Sequence, residues 1–339
     1  MLDLFPSRQA GPFGRRLKRE RGARVPVTVV TGFLGAGKTT LIRRFLASPE
    51  GQGTAVIVNE FGAVGIDDAL VRDAAEATVL LGNGCLCCIT RTDLQVALRR
   101  LIFDRERGAV PPFVRVVIET SGLADPAPIL QTFSTDRALG GEFHVDVMLA
   151  VVDAVNGEAA LADAAEARKQ AILADRLIVS KTDLAAPAAV ERLRQSLLKL
   201  NPRAPIDVAV AGALEPSRII EPMLRQRASF MAEAAHGDGI VSFALEEAAP
   251  VQWPAFARAM ETLMALRGPD LLRVKGLLNV AGCRGPVVVQ YVQHLAHPPV
   301  ELQAWPDDNR SSRVVFITRN IAERQVRDLF AAVRALAKA

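Results

Sequence analysis

The sequence predicts a doubly wound, mostly parallel α/β domain followed by a small α+β domain. Three observations carry that prediction. From Pro26 onward, short β-branched runs alternate with stretches of helical periodicity. A glycine-rich turn joins the first run to the first helical stretch. Past residue 240 the apolar runs become closely spaced, which suits antiparallel pairing.

In the first domain the strand-like runs are Val27 to Val30, Ala55 to Val58, Val79 to Leu81, Val114 to Ile118, Val145 to Val152 and Leu177 to Val179. Helical patterns occupy Lys38 to Ala47, Thr92 to Arg107, Asn156 to Ala174 and Ala188 to Leu200. The domain is expected to span residues 25–213, after a basic tail of residues 1–24. Residues 214–239, ending in the Ala-rich stretch from Ala232 to Gly239, read as a linker. The second domain, 240–339, has strand-like runs at Ile240 to Leu245, Leu271 to Val274, Leu277 to Val280, Val287 to Val292 and Val314 to Ile317. Helices are expected there at Pro254 to Leu266 and Ile321 to Ala337.

Half of the 339 residues are hydrophobic, enough to bury a full core in each domain. The net charge of +4 is a property of the tail, because residues 1–24 alone carry +5. The remainder is close to neutral, which argues against a nucleic-acid-binding face. No stretch has the roughly 18 uncharged apolar residues of a membrane span, and the tail lacks the apolar core of a signal peptide. A cytoplasmic location is the expectation. Three of the four cysteines crowd into one tetrapeptide, a spacing for a metal or redox site rather than a secreted disulfide framework.

The strongest motif is Gly32-Phe33-Leu34-Gly35-Ala36-Gly37-Lys38-Thr39, which satisfies G-x-x-x-x-G-K-[ST] between a strand and a helix. Such a P-loop turns backbone N–H groups of Gly35, Ala36, Gly37 and their neighbours through Thr40 inward around phosphates at a helix N-terminus. Lys38 reaches the β and γ oxygens, and Thr39 offers a hydroxyl to Mg²⁺. A second acidic element should approach the same ion from a neighbouring strand end. Glu119, in Glu119-Thr120-Ser121-Gly122, is the candidate, with Gly122 presenting its N–H to a γ-phosphate. Read without partners, Glu119 is simply a solvated strand-end carboxylate.

Ser180-Lys181-Thr182-Asp183 closes the sixth run where a guanine-reading loop would carry Asn-Lys-x-Asp. The Asp183 carboxylate can accept from both guanine N1–H and the exocyclic amine, and the Lys181 stem can lie against the base. Adenine presents no such donor pair. Ser180 in place of asparagine removes one amide, so guanine is favoured over adenine without being fixed.

Cys85, Cys87 and Cys88 follow Gly82-Asn83-Gly84 in a glycine-loosened loop. Thiolates are soft donors for Zn²⁺, Cu⁺ or Co²⁺. Successive side chains of a regular strand diverge, so the geometric choices are Cys85 with Cys87, or all three in an irregular loop. As small hydrophobes they would merely pack. Glu60 and Asp67 lie in the acidic loop after the second run, where they would orient water, contact Mg²⁺ or add a metal ligand. His294 and His297 are spaced i, i+3, a spacing shared by ligand pairs and by ordinary core or surface histidines.

These motifs together resemble the CobW-type metallochaperone GTPases from Val25 to the C-terminus. The resemblance is carried by Thr31 to Thr40, Asn59-Glu60-Phe61-Gly62 with Gly65-Ile66-Asp67, Gly84 to Cys88, Glu119 to Gly122 and Ser180 to Asp183. In the second domain Arg273 to Gly276, Gln290 to His294 and Arg313 to Ile317 carry it. It implies GTP hydrolysis, Mg²⁺, binding of Zn²⁺ or Co²⁺ at the cysteine motif, and delivery to a client metalloprotein. Unlike many relatives, the linker has only His236, so no high-capacity metal reservoir is expected. No arginine finger or catalytic glutamine is assignable, so acceleration would come from a partner, the metal or a homodimer. Three other readings stay open: a nucleotide-gated metal buffer or sensor without turnover, an ATPase with a redox-active Cys87-Cys88 pair, and a membrane or nucleic-acid tether through the basic tail of residues 1–24.

Overall fold

The computed structural model describes residues 24–58, 79–81, 91–220, 234–235, 239–293 and 295–336. The chain divides into two compact units, with the boundary at His236 and Gly237.

In the first unit β1 (Val25–Thr31) leads into α1 (Lys38–Leu46), and β2 (Thr54–Val58) and β3 (Val79–Leu81) follow. Next come α2 (Arg91–Glu106), β4 (Arg115–Glu119), α3 (Ala127–Thr135), α4 (Arg137–Glu142) and β5 (Phe143–Asp153). The unit continues through α5 (Gly157–Asp163), α6 (Ala165–Leu173), β6 (Arg176–Ser180), α7 (Pro187–Leu200), β7 (Ile206–Ala209) and the single turn α8 (Ser217–Ile220). The sheet order is β3-β2-β4-β1-β5-β6-β7, every pair parallel. This is the doubly wound sheet expected from the alternating runs.

β1 is central and covered on both faces, so its sequence is a continuous β-branched run rather than an alternation. Neighbouring residues of β5 serve opposite layers. Leu149 and Val151 join Leu41, Ile42 and Phe45 of α1, whereas Ala150 joins Leu161, Ala171 and Leu193. Leu41 is 1% exposed, so Leu41→Ala would leave a cavity and cost about 2–5 kcal/mol. Packing continues past Ala213, because Leu214, Ile219 and Ile220 close over the α1 layer.

The helical pattern from Asn156 to Ala174 folds as two helices, not one. Ala164 is extended at φ −109° and ψ 120°, and Arg168 donates through Nη1 to the carbonyls of Leu161 and Ala162 at 3.0 and 2.9 Å. That guanidinium satisfies C-terminal carbonyls of α5 that an unbroken helix would have paired internally.

The second unit contains β8 (Ile240–Glu247), α9 (Trp253–Arg267), β9 (Arg273–Leu278), β10 (Val287–Val292), β11 (Ser312–Arg319) and α10 (Glu323–Leu336). The long strands lie antiparallel in the order β10-β9-β11-β8. The runs expected as Leu271 to Val274 and Leu277 to Val280 merge into the single strand β9, with Gly276 in register between Val289 and Val314. A glycine is required there, since a Cβ would stand 2.2 Å from the Arg313 carbonyl oxygen. Phe243 and Phe316, opposite each other on β8 and β11, stack at 5.3 Å, and Phe330 of α10 meets Phe316 edge-on at 6.3 Å. Among the described residues no helix is long and apolar enough to cross a membrane.

Candidate nucleotide site

Because β1 is central and the chain winds outward on both sides of it, the crevice at the carboxyl ends of β1, β4, β5 and β6 is where a ligand meets the sheet. The loop from Gly32 to Lys38 fills its floor. Gly32 has φ +143°, and a Cβ there would stand 2.2 Å from the Val151 carbonyl oxygen. Gly37 is left-handed, at φ 93°, and caps α1 with no side-chain hydrogen bond, at the end of the helix where an anion would sit. Gly35 is also left-handed, at φ 69°. Ala36 is buried and Thr40 is exposed at the loop's outer edge.

Lys38 is 8% exposed, with Nζ donating to the carbonyls of Gly32 and Phe33 at 3.0 and 3.2 Å. The ammonium therefore lies over the loop, where phosphate oxygens would replace carbonyls as acceptors. Thr39 Oγ1 donates to Glu119 Oε1 at 2.7 Å, joining the P-loop to the end of β4. Glu119 is 5% exposed. A hydroxyl and a carboxylate in contact form an all-oxygen donor pair, the chemistry Mg²⁺ selects, so these residues fit that ion.

Gly122 lies against the P-loop itself, since an added Cβ would be 2.6 Å from the Leu34 backbone nitrogen. Its carbonyl and that of Ala124 accept from Gln170 Nε2 at 3.1 and 3.0 Å.

The sixth-strand loop is bound to the P-loop as well. Ser180 Oγ donates to the Ala36 carbonyl at 2.6 Å, so this hydroxyl ties two loops together in the place where an asparagine amide was missed. Lys181 is left-handed at φ 56°, and its Nζ donates to Asp153 Oδ2 at 2.7 Å. Burial would push the Asp153 carboxyl upward. The hydrogen bonds from Lys181, the Val155 N–H and Asn156 outweigh burial and hold it below the usual carboxylate range. Asp183, two residues past Lys181, is exposed.

The structure thus brings together Gly32, Gly35, Ala36, Gly37, Lys38, Thr39, Thr40, Glu119, Gly122, Ser180, Lys181 and Asp183 at one edge of the sheet. Glu60, Asp67, Cys85, Cys87, Cys88 and His294 lie outside the described residues. β2 ends at Val58 and β3 at Leu81, both parallel to β1 and β4, at the carboxyl edge of the sheet. His297, which is described, donates its backbone N–H to Gln290 at 2.9 Å. Among the described residues no group of three or more His, Cys, Asp or Glu could hold a metal.

Sequence reasoning missed three participants. Asp153 and Gln170 are single polar residues, and the bonds that tie them to the site, to Lys181 and to the Gly122 and Ala124 carbonyls, reach far along the sequence. The loop after β7 was also missed, although Gly212 signals it: left-handed Ala211 and Gly212 turn the chain so that a Gly212 Cβ would stand 2.8 Å from the Thr40 carbonyl oxygen.

Residues 26–207 match the family model described as CobW/HypB/UreG, nucleotide-binding domain, and residues 240–334 match the cobalamin synthesis protein cobW C-terminal domain. The zinc chaperone YjiA of Escherichia coli is 36% identical over 318 residues, covering 91% of this chain and 99% of its own. The zinc chaperone CobW of a Sinorhizobium species is 30% identical over 317 residues, 81% of this chain and 87% of its own. The crystal structure of Zn(II)-bound YjiA GTPase from Escherichia coli has a TM-score of 0.65 at 30% identity, covering 92% of this chain and 99% of that one. Likeness at this level along both units makes the chain a member of the CobW family.

Proposed function

We propose that the chain is a GTP-hydrolysing metallochaperone that takes Zn²⁺ or Co²⁺ at Cys85, Cys87 and Cys88 and passes it to a client metalloprotein in the cytoplasm. The observation that carries the nucleotide half is the Thr39–Glu119 contact beside Lys38, an oxygen pair at the mouth of a P-loop. Relatives named zinc chaperones, alike along nearly the whole chain, support the metal half. The domains we assign are a nucleotide domain of residues 25–213, a linker of 214–239 and a C-terminal domain of 240–339, after a basic tail of 1–24.

In this reading GTP and water yield GDP and phosphate. The Gly32–Thr40 backbone binds the phosphates, and Lys38 exchanges its loop carbonyls for β and γ oxygens. Thr39 and Glu119 hold Mg²⁺, which supplies neutralisation of the phosphate charge when bound. Glu60 and Asp67 orient the attacking water. Asp183 accepts from the guanine edge, while Asp153 keeps Lys181 extended alongside it. Thiolates at Cys85, Cys87 and Cys88 supply soft ligands for the cargo metal. A homodimer or the client supplies the acceleration that the chain's own residues lack.

β2, β3 and β4 end at the same edge of the sheet, and in this reading metal and GTP raise each other's affinity by one common factor. The test is Zn²⁺ and Co²⁺ affinity measured with a GTP analogue and with GDP. Equal metal affinity in the two nucleotide states would sink the coupling. Replacing Cys85 and Cys87 should remove tight metal binding and spare nucleotide binding.

A further inference from the structure

Gln170 is 1% exposed, near the C-terminal end of α6, and spends both hydrogens of its amide on one distant loop. Nε2 donates to the carbonyls of Gly122 and Ala124. The adjacent Lys169 pairs with Asp125 of the same loop, and Asp125 Oδ1 also accepts from the Ala127 N–H at 2.9 Å, the start of α3. Two successive residues of one helix therefore grip residues 122–125 from behind. The P-loop meets this loop at Gly122, which abuts Leu34.

A glycine can rotate its peptide planes more freely than any other residue, and anchoring its carbonyl removes that freedom. Gln170 Oε1, by contrast, has no hydrogen-bond donor among the described residues. Its side chain lines a cavity of about 30 Å³ together with Phe33, Leu34, Ala167 and Ala171. The space admits a water, which would donate to Oε1. Past Ala174, the chain from α6 runs straight into β6, whose last residue, Ser180, holds Ala36. Gln170 thus stands on a closed circuit from the P-loop, through Gly122 and α6, to the base loop and back to the P-loop.

We propose that Gln170, backed by Lys169, is a positioning residue that sets the Gly122–Asp125 loop for a γ-phosphate and so makes the protein distinguish GTP from GDP. The proposal rests on the GTPase reading above. It assigns Gln170 no contact with the nucleotide, and the residue acts through Gly122.

The experiment uses the full chain with Gln170→Met, which keeps volume and removes the donor, and Gln170→Glu, which keeps shape and turns a carboxylate toward two carbonyls. Fluorescent-nucleotide displacement gives the affinities for GDP and for a non-hydrolysable GTP analogue, and turnover is measured at saturating GTP. Both variants should hold GDP nearly as well as the unaltered chain while the analogue-to-GDP preference and kcat each fall about tenfold. Lys169→Met should shift both in the same direction by less. Amide hydrogen exchange at residues 122–125 should slow on adding the analogue to the unaltered chain and not to Gln170→Met. If the variants weaken GDP and analogue equally, or lose thermal stability with the preference intact, Gln170 is only a packing residue and the proposal is overturned. If one variant fails to fold, the other and Lys169→Met decide by the same ratio. An unaltered chain that binds neither nucleotide overturns the GTPase reading and this inference together.

Discussion

The Thr39 hydroxyl stands 2.7 Å from a Glu119 carboxylate oxygen, joining the first turn of α1 to the end of β4 across 80 residues of sequence. In the proposed site each would serve the same Mg²⁺, and their contact fixes the orientation of both. Thr39→Ala should lower GTP turnover by about 10²-fold, on the order of losing one preorganised polar contact to a charged centre. Glu119→Gln keeps the hydrogen-bonding shape and removes the charge, so nucleotide affinity should lose its dependence on Mg²⁺. A Mg²⁺ titration of GTP affinity and turnover checks both, and a wild-type Mg²⁺ response in Glu119→Gln would remove Glu119 from the site.

Lys38 Nζ donates to the P-loop carbonyls of Gly32 and Phe33, acceptors that phosphate oxygens would replace, and its removal should cost nucleotide binding more than stability. Lys38→Ala should weaken GTP and GDP by more than about 10²-fold, since hydrogen bonds to charged groups contribute about 1.5–3 kcal/mol each. Calorimetric titration reads the affinity and a thermal melt reads the fold. Retained GDP affinity would contradict the assignment.

Asp183 is the guanine reader in this proposal, and its chemistry can be inverted. Asp183→Asn exchanges an acceptor oxygen for an N–H donor, which suits the C2 carbonyl of xanthine instead of the C2 amine of guanine. GTP affinity should fall about 10–100-fold while xanthosine triphosphate gains, as expected for exchanging one well-placed charged hydrogen bond. A competition assay with both nucleotides and ATP decides. No gain for xanthosine triphosphate would place the base elsewhere.

Asp153 links acid stability to the base loop. Its carboxyl is held below the ordinary carboxylate range, so its contribution to folding is complete above the unfolded value near pH 4 and is lost as pH falls through the folded one. Asp153→Asn should flatten the stability profile below about pH 4 and cost about 1–3 kcal/mol at neutral pH, because the Lys181 ammonium and the Val155 N–H lose a charged acceptor. Urea unfolding across pH measures it. An unchanged acid limb would show that the shift does not matter to folding.

Gly122→Ala tests the fit between the loop after β4 and the P-loop. The added Cβ meets backbone, not a movable side-chain tip, so the loop must retreat from Leu34. Overpacking of this kind costs about 1–3 kcal/mol. Thermal melting should drop by about 2–4 °C per kcal/mol for a domain of this size. GTP should restore less stability to the variant than to the unaltered chain.

What was legible in the sequence was whatever is encoded locally. Gly32, Gly37, Lys38 and Thr39 occupy fixed offsets because the backbone of one tight turn demands them, so the P-loop could be read without any partner. β-branched runs such as Val27 to Val30 announced strands buried on both faces. The broken helix at Ala164 was not legible, because alanine is a good helix former and the break is stabilised by Arg168, which the pattern does not mark. Asp125 and Asp136 do carry a local signal as caps, and Asp136 accepts from Ala138 and Leu139 at the start of α4, yet α3 and α4 were not anticipated. Asp153 and Gln170 were invisible for a different reason: the bonds from Lys181 to Asp153 and from Gln170 to the Gly122 and Ala124 carbonyls span 28 to 48 residues, and only the fold around the parallel sheet closes them.

The Ser180–Ala36 hydrogen bond makes the end of β6 and the phosphate loop one mechanical part through the protein's own atoms. A nucleotide then meets a socket whose two ends are already at a fixed spacing, and little of its binding energy goes into drawing them together. The two ends also share their errors. A change at Ser180 will surface as altered grip on phosphate, even for inorganic pyrophosphate, which has no base to read.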